Sequence, residues 1–113
     1  MNRQLALLIS IQNLELQLRD AEDPERSAKM EEMGFPLDAA RIRETIDSLL
    51  QQVDPRHRQY YLRLRKRYDN PVVMVWEGHC TGCFANVPTG FSSASNEGKV
   101  KTCETCGRIL FEP

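Results

Sequence analysis

Two C-x2-C pairs constrain this chain more than any other feature. They are Cys80 with Cys83 and Cys103 with Cys106, and nineteen residues (84 to 102) separate them. That spacing matches a four-cysteine zinc site. A C-x2-C turn places two thiolates on one side of a tight loop, where backbone N–H groups can point at the sulfurs. Two such loops supply four ligands at about 2.3 Å in a tetrahedron. Gly107 follows the second pair and Gly82 lies inside the first, and both suit tight turns. The segment 70–113 has 44 residues (113 − 70 + 1). A unit that small rarely folds on its core alone and needs a metal or disulfides. Val73, Val75, Trp76, Phe84, Val87, Val100, Ile109, Leu110 and Phe111 predict only a thin apolar layer. One structural zinc is the expectation. Disulfides require an oxidising compartment, and a redox C-x2-C pair sits at the start of a helix. An iron site on the same four thiolates is the remaining alternative. His79 adjoins Cys80 and is expected to be a neighbour, not a ligand.

Upstream, the periodicity is helical. Leu7, Ile11, Leu14, Leu18 and Ala21 follow a 4-3-4-3 spacing along one helix face. Ala39, Ile42, Ile46, Leu49 and Val53 repeat it, and Tyr60 and Leu64 continue its phase. Between the stripes, Gly34 suits a left-handed cap and Pro36 cannot continue a preceding helix. The sequence therefore predicts an antiparallel helical hairpin with its turn near 34–36. Leu18 would face Val53, Ile11 would face Tyr60, and Leu7 would face Leu64. Asp23-Pro24 and Asp54-Pro55 predict kinks or breaks, because Asp caps a helix and Pro suits its first position. Residues 22–35 are polar and read equally as helix or loop. Leu5, Leu8, Leu16, Leu50 and Leu62 fall off the stripe and predict either a homodimer or packing of the hairpin base on the tail. Beyond Asn70-Pro71, VVMVWE reads as a strand. Gly78, Gly82, Pro88, Gly90, Ser92, Ser93, Ser95, Asn96 and Gly98 then mark turns.

Hydrophobic residues make up 41% and charged residues 27%, which excludes a disordered chain. No apolar run approaches the roughly 20 residues of a membrane span, and the N-terminus does not read as a signal peptide. A cytoplasmic location is expected. The net charge of −1 conceals an uneven layout: 6 − 11 = −5 over 1–54, 6 − 1 = +5 over 55–69, and 3 − 4 = −1 over 70–113. On a helical wheel of 55–69, Arg56, Arg63 and Arg67 share one flank, and Tyr60, Tyr61, Leu64 and Tyr68 form an aromatic face. One reading is a packed stripe with solvated arginines beside it. The other is phosphate contact by Arg56, Arg63 and Arg67, with Tyr61 stacking on a base of RNA or DNA. Paired carboxylates in an apolar setting, a glycine-rich phosphate loop and a nucleophile triad are not recognisable in the sequence.

The tail stretches VVMVWEGHCTGCFANVP and KVKTCETCGRILFEP resemble the bacterial C4-type zinc-ribbon family whose members carry an N-terminal helical (coiled-coil) hairpin. The resemblance covers residues 72–111, with C-G-R-I-L-F its most specific part, and the hairpin matches in architecture. It implies that Cys80, Cys83, Cys103 and Cys106 bind one zinc ion. It implies no enzymatic activity, and an adaptor with links to RNA-polymerase sigma factors and nucleic acid. The expected fold is therefore α+β: a helical hairpin over 1–69 followed by a small β zinc ribbon over 70–113. The expected function is non-enzymatic regulatory binding to the transcription machinery or another protein partner. Its rival is direct RNA or DNA binding through 55–69. Arg108 is expected to be exposed and open to a partner.

Overall fold

The computed structural model describes residues 3–88 and 100–112. Gly90, Ser92, Ser93, Ser95, Asn96 and Gly98 lie outside them. Four helices, α1 (Arg3–Glu22), α2 (Pro24–Glu32), α3 (Ala39–Gln52) and α4 (Pro55–Arg67), precede four strands. The strands are β1 (Val72–Trp76), β2 (His79–Cys80), β3 (Lys101–Thr102) and β4 (Ile109–Phe111). The chain is thus α+β with a C-terminal β part. No helix among the described residues is long and apolar enough to cross a membrane.

Aspartates start three of the helices. The Asp23 carboxylate accepts from the N–H groups of Glu25 and Arg26, Asp38 from Arg41, and Asp54 from Arg56. Each cap satisfies a helix N–H that has no partner within the helix, and is worth about 1 kcal/mol. Residues 24–32 are therefore helical despite their polarity. That helix ends in a full Schellman turn: Gly34 N–H bonds the Glu31 carbonyl at 3.1 Å and Phe35 N–H bonds that of Met30 at 2.9 Å. Gly34 has φ +84°, the left-handed conformation the turn requires.

α3 runs antiparallel to α1, with Arg43 paired to Glu22 near one end and Arg3 bonded to Gln52 at the other. The chain does not then continue straight. Val53 is extended (ψ 139°), and Arg58 of α4 donates to the Leu50 and Val53 carbonyls, closing the C-terminus of α3. α4 consequently returns in the direction of α1. Asp54 N–H donates to Gln4, Tyr61 OH and Arg65 reach Glu15, and Arg19 pairs with Asp69. This replaces the expected facing of Leu18 with Val53, Ile11 with Tyr60 and Leu7 with Leu64. Because α1 meets α3, α4 and the sheet, it buries a wider face than one stripe. Leu5 and Leu8, expected off the stripe, are buried with Ile11, and Leu50 and Leu62 pack against the same core. Of the five off-stripe leucines only Leu16 is exposed.

The sheet order is β2-β1-β4-β3, with β1 and β4 parallel and the other pairs antiparallel. Its two faces bury different things. Val72 and Ile109 join the helical core; Val73, Val75 and Leu110 pack with Cys80 and Cys103. A sheet covered on both sides reads as a continuous apolar run, which accounts for VVMV. Gln12 of α1 clamps the helices to this sheet. Its side-chain amide donates to the Val72 carbonyl at 2.8 Å and accepts from the Val72 N–H at 2.7 Å. Gln12→Ala leaves both backbone groups without partners. It is expected to cost about 2 kcal/mol in urea unfolding, whereas Arg26→Ala, which removes an exposed ion pair, leaves the urea midpoint essentially unchanged.

Candidate metal centre

The two cysteine pairs form loops of the same construction. In the first, Cys80 N–H donates to the Ala85 carbonyl and Phe84 N–H to that of Cys80, at 3.0 and 2.7 Å. In the second, Cys103 N–H donates to the Arg108 carbonyl and Gly107 N–H to that of Cys103, at 2.8 and 2.9 Å. The residue after each pair is left-handed: Phe84 at φ +64° and Gly107 at φ +82°. The first loop thus forces a bulky residue into a conformation that favours glycine. Gly82 was expected to relax that loop, but its φ is ordinary. Its lack of a side chain matters instead because Arg108 lies over it: a Cβ there would sit 2.6 Å from Arg108 Cδ. Thr81 sews the first loop to β1, its N–H and hydroxyl both donating to the Met74 carbonyl.

The loops bring all four sulfurs within 4.8 Å of one another. Cys80 and Cys106 Sγ are 3.8 Å apart, and Cys83 and Cys103 Sγ 3.7 Å. Four sulfurs at about 2.3 Å from a central ion would stand about 3.8 Å apart at the edges of a tetrahedron. A disulfide needs about 2.05 Å, so these are free thiols that fit one metal ion. His79 stays outside the cluster, its Nδ1 facing the Glu77 carbonyl at 2.9 Å.

Burial pushes the Cys80 thiol up to about 11, against the opposing N–H groups of Cys83 and Gly82. Burial also works against the Cys103 thiolate. There the N–H groups of Cys106 and Thr105, with the neighbouring Cys83 and Cys106 thiols, outweigh it and lower the value to about 7.

The second loop is held from outside by α4. Tyr60 OH donates to the Gly107 carbonyl, and Tyr68 OH to that of Cys106 at 2.9 Å. Arg108 does not stand free for a partner as expected. Its guanidinium lies 3.8 Å from the centre of the Tyr68 ring, and it donates to the Asn70 backbone and side-chain oxygens.

The other sequence candidates separate. Arg56 is exposed and pairs with its own cap residue Asp54. Arg63 and Arg67 are exposed and lie 5.6 and 5.4 Å from the ring centres of Tyr60 and Tyr68. Tyr61, expected to stack on a base, is fully buried, with its hydroxyl on Glu15 at 2.8 Å. Its hydroxyl pKa is raised by burial first and by Glu15 second. The helical wheel could not separate Tyr61 from Tyr60 and Tyr68, because all three lie on one apolar face. The roles of Tyr60, Tyr68 and Phe84 were not foreseen. Only Phe84 had a signal, since it follows Cys83 as Gly107 follows Cys106.

These features define an α+β protein with a four-thiolate site able to hold one metal ion. No protein-family model matches the chain, and no curated protein matches it. Among solved structures it is similar to the HP0958 protein of Helicobacter pylori, with a TM-score of 0.58 and 25% sequence identity. The match covers 66% of this chain and 32% of that one, so it spans about a third of the longer protein.

Metal binding must displace thiol protons. Between pH 7 and 11, Cys80 is protonated and Cys103 ionised in the metal-free protein, and below pH about 7 Cys103 takes up a proton as well. Metal affinity therefore falls as pH falls, more steeply below pH 7 than above it. Competition with a chromogenic chelator across pH 6 to 9 checks the sign and the break in slope.

Proposed function

We propose that this chain is a non-enzymatic adaptor of the C4-type zinc-ribbon kind, with Zn²⁺ held by Cys80, Cys83, Cys103 and Cys106. Four thiolates are the ligand set of structural zinc, and they leave no open position where a substrate could bind. The ion holds two loops against a sheet whose other face is used by the helices. Such a centre builds a surface instead of performing a reaction.

The observation that carries the adaptor reading is the exposure of Trp76 and Phe84, at 57% and 74%. One ends β1 and the other closes the first cysteine loop, where a strained backbone presents its ring to solvent. Large exposed aromatics on a metal-stiffened scaffold are what protein interfaces use as anchors. The partner class is the transcription machinery, RNA polymerase or a sigma factor.

A specific observation supports the second reading, nucleic acid. Of the six cations in 55–69, Arg56 and Arg65 have carboxylate partners and Arg58 caps α3. Arg63, Lys66 and Arg67 have no carboxylate within ion-pair distance among the described residues. They form one cationic patch on the last turns of α4.

Trp76→Ser with Phe84→Ser is expected to retain zinc while abolishing capture of a polymerase subunit or sigma factor from native extract. Wild-type protein that recovers neither, or a variant that recovers them equally well, contradicts the adaptor reading.

A further inference from the structure

The cationic patch of α4 and the metal centre share their supports. Tyr60 and Tyr68 donate hydroxyl protons to the carbonyls of Gly107 and Cys106, within and just after the second cysteine pair. The same two rings carry the guanidinium groups of Arg63 and Arg67. Gly107 lies against Tyr60, since a Cβ there would be in van der Waals contact with the tyrosine oxygen at 3.4 Å. Tyr68 is also the C-cap of α4, its N–H bonded to the Leu64 carbonyl, and Arg108 from the second loop covers it. The last two turns of α4 thus share contacts with the loop that supplies two of the four thiolates.

We infer that metal binding at the four cysteines fixes Arg63 and Arg67 as a phosphate-binding surface, so that metal and nucleic acid bind with positive coupling. This rests on the second reading above. The physical chain is short. Without a cation the four sulfurs lose the centre that ties the two loops together, and the second loop is free to relax. The carbonyls of Cys106 and Gly107 then leave the tyrosine hydroxyls, and the arginines lose the rings that orient them. Arg63 and Arg67 stand four residues apart, neighbours on one helix face, and can engage successive phosphates. With Tyr61 buried and the Tyr60 and Tyr68 rings taken up by guanidinium groups, contact is with the phosphate chain and is indifferent to sequence. Arg108 also lies over the Tyr68 ring and adds positive charge to the same region. Coupling of this kind is reciprocal: if zinc tightens nucleic acid, nucleic acid retains zinc by the same factor.

The probe is a labelled oligouridylate of about 12 nucleotides, read by fluorescence anisotropy against zinc-loaded protein at low salt. Arg63→Ala with Arg67→Ala is expected to weaken binding at least about tenfold and to lower the salt slope by about two, one for each phosphate contact. Tyr60→Phe with Tyr68→Phe keeps every thiol and both rings. It is expected to weaken binding several-fold at full zinc content. On the unaltered protein, the oligonucleotide is expected to slow zinc transfer to a chelator, a readout that needs no variant to fold. If the phenylalanine variant binds as tightly as wild type with zinc retained, or the oligonucleotide leaves zinc transfer unchanged, the coupling is overturned and the phosphate surface stands alone. If zinc-loaded wild type does not bind, or the arginine variant binds equally well, the phosphate surface itself is wrong and the coupling falls with it.

Discussion

Four sulfurs packed within 4.8 Å of one another are tolerable as thiolates only if a cation sits among them. A cation there would organise the C-terminal part of the chain. Two loops of the same hydrogen-bonded design approach from opposite ends of the sheet, and two sulfur contacts, Cys80 with Cys106 and Cys83 with Cys103, join one loop to the other. A cation at the centre cross-links residues far apart in sequence and stands in for the apolar core that strands of two to five residues cannot supply. The metal-facing valines and Leu110 fill only the floor of this site.

The helices depend on the same arrangement at one remove. β1 and β4 present Val72 and Ile109 to the helical core, and Gln12 pairs with the Val72 backbone as a neighbouring strand would. On the far side, Tyr60 and Tyr68 grasp the second cysteine loop. α4 therefore reaches the cysteine loop through tyrosine hydroxyls on that loop's carbonyls, while Arg63 and Arg67 face solvent. A loop carbonyl that accepts a tyrosine proton is less free to move, which stiffens the ligand set from outside.

The cysteine cluster was legible in the sequence because its signal is local: two identical spacings, each sufficient to define a loop. The helix starts were legible for the same reason, since Asp-Pro writes a cap and a first position into adjacent residues. The path of α4 was not. Asp54-Pro55 specifies a break, but the angle after it is set by Arg58 on the end of α3 and by Tyr61 on Glu15, contacts between residues remote in sequence. Leu5 and Leu8 fall off the stripe because one stripe is counted where α3, α4 and the sheet all bury the helix. Trp76 and Phe84 were placed in the core on hydrophobicity alone, and both are exposed. Arg108 looked free because its partners, Tyr68 and Asn70, lie across the fold.

A metal at the four cysteines would be the keystone of the sheet and of the α4 contacts. Amide hydrogen exchange on the zinc-loaded protein before and after complete chelation tests it most directly. The claim predicts one zinc per chain and, on its removal, loss of protection at residues 72–76 and 109–111 and in the last turn of α4, while α1 and α3 keep theirs. Equal protection of the sheet with and without metal, or a protein isolated with well under about one zinc per chain, would contradict it.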